Sequence, residues 1–198
     1  MSDWIFTAVV SVICTLIFSF SFWRGIKEDY ISSQIFSTTV TIFITFTIAA
    51  VIANYFKEYR FWIFAFALIL GYIIGCYRNA IKIYDGYDSF IVSLLISGLV
   101  SGVIFFNSVD LPKIIFYISI AASLLVYFLV HRQYKSFIWY RSGKRGFSGL
   151  FITGLFFLIR SVVSLIKPEL TIMVTTYDIF ISGLISFVSF LNIFILGK

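Results

Sequence analysis

Two residues stand out as able to do chemistry by position alone. Arg160 and Asp178 are a cation and an anion, each set in a long apolar run. Arg160 lies eight residues before Pro168, and Asp178 ten after it. A turn of the chain around Lys167-Pro168-Glu169, between antiparallel helices, would bring the two back to similar depth. At about 1.5 Å per residue both are then expected roughly 12–15 Å below the turn. A lone charge there costs at least ~2.5 kcal/mol on insertion scales, so Arg160 and Asp178 are expected to face each other or share a polar cavity. Such a pair could serve as an ion- or proton-coupled carboxylate, an anion site at the guanidinium, or a gate latch. The plainer use is an ion pair that fixes helix register. In a third arrangement Arg160 snorkels outward on its long stem and leaves Asp178 by itself. Asp178 also opens a polar helix face, because Ser182, Ser186 and Ser189 follow it at spacings of four, four and three.

Catalytic constellations are sparse. The only histidine is His131, with no second histidine or carboxylate motif to complete a metal site. No nucleophile elbow, HExxH, P-loop or dinucleotide fingerprint occurs. Asp85 and Asp88 form a close acidic pair near a helix end, too few acids for phosphate-cleaving chemistry on lipid. Cys14 and Cys76 sit in separate apolar runs, as packing residues rather than a disulfide or metal pair. The expectation is therefore a protein that is not an enzyme, with no cofactor and no metal.

The elements that must position Arg160 and Asp178 follow from composition. Hydrophobic residues make up 61% of the 198-residue chain and charged residues 12%, about half the share of a soluble domain, with mean hydropathy +1.03. Seven runs approach the roughly 20 residues needed to cross a bilayer: 4–22, 35–54, 61–76, 89–106, 114–130, 147–166 and 170–196. The third and fifth are short. The first follows Asp3 rather than a basic region and lacks a good cleavage site, so it reads as a span, not a signal peptide. Tyr and Trp gather near the run ends, as an aromatic belt requires. The expected fold is an all-α integral membrane protein, one transmembrane domain over 1–198, of six to seven helices.

Charge gives the orientation. With seven spans, the first, third and fifth connections carry Arg24, Lys27, Arg78, Lys82, Arg132, Lys135, Arg141, Lys144 and Arg145. The other set carries Lys57, Arg60, Lys113 and Lys167. The positive-inside rule then puts the N-terminus outside and the C-terminus in the cytoplasm. The composition, rich in Phe, Ile and Ser, suits a prokaryotic inner membrane. Arg132, Lys135, Arg141, Lys144 and Arg145 would contact anionic lipid or a cytosolic protein partner.

Trp23-Arg24, Tyr77-Arg78 and His131-Arg132 recur 54 residues apart, which suggests three repeated helical hairpins plus a last helix; interfacial preferences alone also generate this pattern. Short loops make sequential helices antiparallel neighbours. The connections 81–88 and 137–146 alternate around Asp-Gly and Ser-Gly, as small β-hairpins do. Small and hydroxylated residues recur every four positions: Ser11, Thr15 and Ser19; Thr41 and Thr45; Gly71 and Gly75; Ser89, Ser93, Ser97 and Ser101. In lipid such ridges let backbones approach and hydroxyls bond between helices; their other use is to line a polar route.

Two functions follow. One is a small transporter or channel-like protein with Arg160 and Asp178 beside its route. The other is a non-catalytic anchor, sensor or accessory subunit acting through its basic loops, for example in an envelope or phage-defence system. Expected partners are the lipid bilayer, further copies of the chain or a membrane complex, and a cytosolic protein, but not nucleic acid.

Overall fold

The computed structural model describes residues 3–104, 110–134, 145–172, 174, 175 and 177–197, with the side chains of 3–8 and 102–104 left undescribed. Seven helices fill it: α1 (Asp3–Ile26), α2 (Ser32–Tyr55), α3 (Arg60–Arg78), α4 (Ile83–Ile104), α5 (Leu111–Gln133), α6 (Phe147–Ile166) and α7 (Asp178–Gly197). Single 3-10 turns, Lys57–Tyr59 and Pro168–Leu170, precede α3 and follow α6. There is no strand among the described residues. All seven helices are long and apolar enough to cross a membrane. Large apolar side chains point outward on most of them, including Leu16, Leu125, Leu165 and Phe187. An apolar exterior over an equally apolar interior is the surface that lipid solvates, and it suggests a membrane location.

The connections α1–α2, α3–α4 and α5–α6 share one end of the bundle, called here the basic end. Two aromatic-rich cores close this end. The first joins Phe18, Phe22, Ile26, Ile35, Tyr72, Cys76 and Phe90; the second joins Tyr134, Phe147, Leu150, Ile193 and Leu196. Tyr87 packs against both.

Helix pairing differs from the expected hairpins. α2 lies most extensively along α3, α1 along α4 and α6 along α7, whereas α1–α2 and α3–α4 meet weakly. The small-residue ridges explain this choice. A Cβ on Gly71 would fall 2.9 Å from Ile42 Cα, and Thr45 and Thr38 donate to the carbonyls of Ala67 and Gly75. On the other side, Ser97 donates to Cys14 O of α1 (3.4 Å). Most other ridge hydroxyls bond back to their own helix, as Thr15, Ser19, Thr41 and Ser93 do.

Two connections depart from expectation. Residues 83–88 form the first turns of α4 rather than a hairpin, with Asp85 in the first turn, where a carboxylate favours the positive helix end. Of the loop expected over 137–146, all but Arg145 and Gly146 lie outside the described residues, as do Lys135, Arg141 and Lys144. The start of α7 also moves, from 170 to Asp178. The intervening stretch contains Thr171, Ile172, Val174 and Thr175, β-branched residues that hold a helix poorly.

Candidate functional site

Arg160 sits in the last turns of α6 and is 6% exposed; Asp178, the first residue of α7, is fully buried. Arg160 Nη2 donates to Asp178 Oδ1 at 2.8 Å and to Ile172 O at 3.1 Å. Ser164, one turn on from Arg160, donates to Asp178 Oδ2 (3.1 Å) and lies 3.4 Å from Thr171 Oγ1. Both carboxylate oxygens therefore accept hydrogen bonds, and the N-terminus of α7 adds its positive dipole. The guanidinium carbon lies 3.8 Å from the Phe61 ring centroid and 5.7 Å from that of Trp62, so two aromatic faces of α3 complete its surroundings.

The connection from α6 to α7 is what brings the pair together. After Pro168–Leu170 the chain folds back along α6, so that Thr171 and Ile172 lie beside Ser164 and Arg160. The Asp178 amide then closes on Thr175 O at 3.0 Å. Because Asp178 meets Ser164 and Arg160, two and six residues from the end of α6, the pair lies about 3–9 Å inside that end. Counted from Pro168, Arg160 keeps the roughly 12 Å expected of it, whereas Asp178 opens α7 opposite Ser164 instead of lying along a helix that begins at 170. Non-helical backbone at such a level is tolerated in lipid only where protein groups satisfy it, and Arg160 does so for Ile172 O.

Four buried side-chain atoms have no hydrogen-bond partner among the described residues: Trp62 Nε1, Arg160 Nε, Thr175 Oγ1 and Ser182 Oγ. All four surround the pair. Trp62 is the ring beside the guanidinium, Thr175 caps the approach to Asp178, and Ser182 follows Asp178 by one helical turn. Each can donate, and an unsatisfied buried donor costs about 1–3 kcal/mol. The rest of the expected polar face holds the bundle together. Ser186 donates to Gly154 O of α6 (2.8 Å) and Ser189 to Ile185 O of its own helix.

Two cavities adjoin the pair. A small one, about 40 Å³, is lined by Arg160, Ser119, Ser123 and Thr171. A larger one, about 730 Å³, lies between α3, α4, α5 and α6, and Phe116, Phe156, Thr171 and Ile172 form the wall common to both. No cluster of three metal-ligating residues occurs among the described residues.

At the basic end, sequence reading passed over the use of Asp88. This carboxylate is 7% exposed and accepts from the amides of Gly146 (3.1 Å) and Gly149 (2.6 Å), capping the N-terminus of α6 from α4. Gly146 takes a left-handed φ of 96°, and a Cβ on Gly149 would fall 3.0 Å from Asp88 Oδ1. Nearby, Tyr87 and Thr153 hydroxyls are 3.1 Å apart, and His131 Nδ1 is 3.3 Å from Ser148 Oγ. Arg145 pairs with Asp29, and this hydrogen bond raises the guanidinium pKa above its ordinary value. Tyr30 donates to Asp85 Oδ2 (3.1 Å) and accepts from Lys82 N, while burial pushes its own pKa up. Arg132 is exposed, as are Arg24, Lys27, Arg78 and Lys82.

No protein-family model, no curated protein and no solved structure matches this chain.

Proposed function

We propose that this chain is a carrier of transporter type in the cell membrane, working without a catalytic step, in which Arg160 and Asp178 latch one end of the bundle. The observation that carries this reading is that Thr171 and Ile172, tied to Arg160 and Ser164, are also walls of the large cavity. Breaking the Arg160–Asp178 contact would release the folded-back connection and open the cavity at that end. Positive-inside orientation places the latch at the outer face and the basic end in the cytoplasm.

Accessibility tests this without knowledge of the solute. With Cys14 and Cys76 replaced by alanine, a single Leu94→Cys in the cavity wall is challenged in proteoliposomes by a membrane-impermeant maleimide. Alternating access predicts labelling both from outside and from reagent trapped inside. Labelling from one face alone would overturn the carrier reading.

A second reading, an anchor or accessory subunit, draws support from the exposed cations Arg24, Lys27, Arg78, Lys82 and Arg132 at the basic end. Its test is co-purification from native membranes. A stoichiometric cytosolic protein lost on neutralising these five residues favours it.

A further inference from the structure

The large cavity has the shape and polarity of a lipid slot. Its walls are aromatic and aliphatic, with Phe61, Phe64 and Leu68 of α3 facing Leu94 of α4, Phe116 of α5 and Phe156 of α6. Along α4 it runs from Tyr87 to Ser101, about 21 Å by the helical rise. That is longer than one leaflet of hydrocarbon, about 15 Å or half of the ~30 Å core, so an acyl chain filling the slot would reach past the middle of the bundle. At the basic end the slot is lined by Tyr87 and Phe90 of the cores, and the two hydroxyls there, Tyr87 and Thr153, are 3.1 Å apart.

Among the described lining residues, charge appears only where a head group would lie. Asp110 and Lys113, at the start of α5, line the opposite end together with Thr171. Lys113 Nζ is 2.7 Å from Asp110 Oδ2, and both side chains are well exposed, at 44% and 60%. The slot therefore offers an ammonium and a carboxylate side by side above some 20 Å of apolar wall. A volume of about 730 Å³ falls inside the range of small-molecule sites, roughly 300–1,000 Å³.

We propose that this cavity binds one phospholipid of the adjoining leaflet, an acyl chain lying along α4 and the head-group phosphate on Lys113. Entry would be lateral, between α3 and α4, which pack weakly against each other: their aromatic contacts, Tyr72 with Tyr87 and Phe90, lie at the basic end, and residues of both helices line the cavity beyond it. Occupancy is a property of the cavity alone and does not depend on the protein acting as a carrier.

The test uses the full chain, delipidated in a maltoside detergent and titrated with dioleoyl phosphatidylglycerol and dioleoyl phosphatidylcholine, with native mass spectrometry as the readout. One tightly held lipid per chain is expected, above the statistical series of weaker adducts. Ala65→Trp fills the slot from α3 and is expected to weaken that first adduct at least tenfold. Leu95→Trp, filling it from α4, repeats the experiment if the first variant does not fold. Lys113→Gln should weaken binding several-fold while leaving stoichiometry unchanged. A first adduct no tighter than later ones, or one indifferent to both tryptophans in folded protein, overturns the proposal. So does a dimer that the tryptophans abolish, because a second copy would then occupy the slot.

Discussion

The two ends of this bundle are built on opposite plans. At the basic end, aromatic cores close the space between helices, and the buried Asp88 finds two backbone amides. At the other end a small cavity beside Arg160 sits with all four buried donors that have no partner among the described residues, and the large cavity runs from there back to Tyr87 and Phe90. Buried polar groups are satisfied almost everywhere in folded proteins, so four donors without a protein partner around one ion pair leave room there for hydrogen bonds to water or to another molecule. The basic end is a clamp. The opposite end holds its buried ion pair among cavities and donors without protein partners among the described residues.

The Arg160–Asp178 pair gives the sharpest way to break this contrast. Asp178→Ala leaves a buried guanidinium without its anion and is expected to destabilise by about 3–5 kcal/mol, read as a lowered unfolding midpoint in detergent. Replacing both residues, Arg160→Met with Asp178→Leu, removes the unpaired charge and should restore most of that stability. The restored protein should nevertheless lose two-sided labelling at Leu94→Cys if the pair is a working latch. Full labelling in the double variant would make the pair purely structural.

Next in size is the clamp. Asp88→Ala strands the amides of Gly146 and Gly149 at a buried helix start, for an expected loss of about 1–3 kcal/mol. Folded Asp88→Ala protein should retain its single tight lipid. Thermal unfolding and native mass spectrometry on one preparation separate the two outcomes. A lost lipid site would mean that the ends are coupled rather than independent.

One substitution made at both ends compares them directly. Gly149→Ala sets a Cβ 3.0 Å from Asp88 Oδ1 and Tyr87 Cδ1, and overpacking there should cost about 1–3 kcal/mol. Gly98→Ala meets only Ile120 Cδ1 at 3.4 Å, beside the cavity, and should gain up to ~1 kcal/mol of helix propensity. Equal effects on the unfolding midpoint would erase the difference in packing between the ends.

How far the sequence anticipated this follows from the range of the forces involved. The seven spans are legible because hydrophobicity acts within each segment, and the ridge at Gly71 and Gly75 is legible because small-residue spacing is local. The meeting of Arg160 with Asp178 was foreseeable from the cost of isolated charge in lipid. The start of α7 at Asp178 was not, because 170–177 is apolar enough to read as helix; only the cluster of Thr171, Ile172, Val174 and Thr175 argued against helix there. Asp88 was hidden by its neighbours Asp85-Gly86, whose turn preference drew the reading toward a hairpin, while its amide donors lie some sixty residues away. The cavity had no local signature at all. It exists because α3 aligns with α2 and α6 with α7, and that choice depends on which faces meet.

The smallest effect lies on the surface of the clamp. Arg145 and Asp29 are paired across two connections, but their side chains are 48% and 35% exposed. Water and salt screen such a pair, and both side chains give up rotamer freedom to form it. Asp29→Asn should therefore cost less than ~1 kcal/mol, and raising salt should shrink the difference further. The comparison with Asp178→Ala isolates burial as the variable: the same kind of ion pair, differing mainly in access to water, should differ severalfold in its effect on the unfolding midpoint. Should Asp29→Asn match the loss seen for Asp178→Ala, the clamp would owe its strength to surface charge, and the division of the molecule into a packed end and an accommodating end would fail.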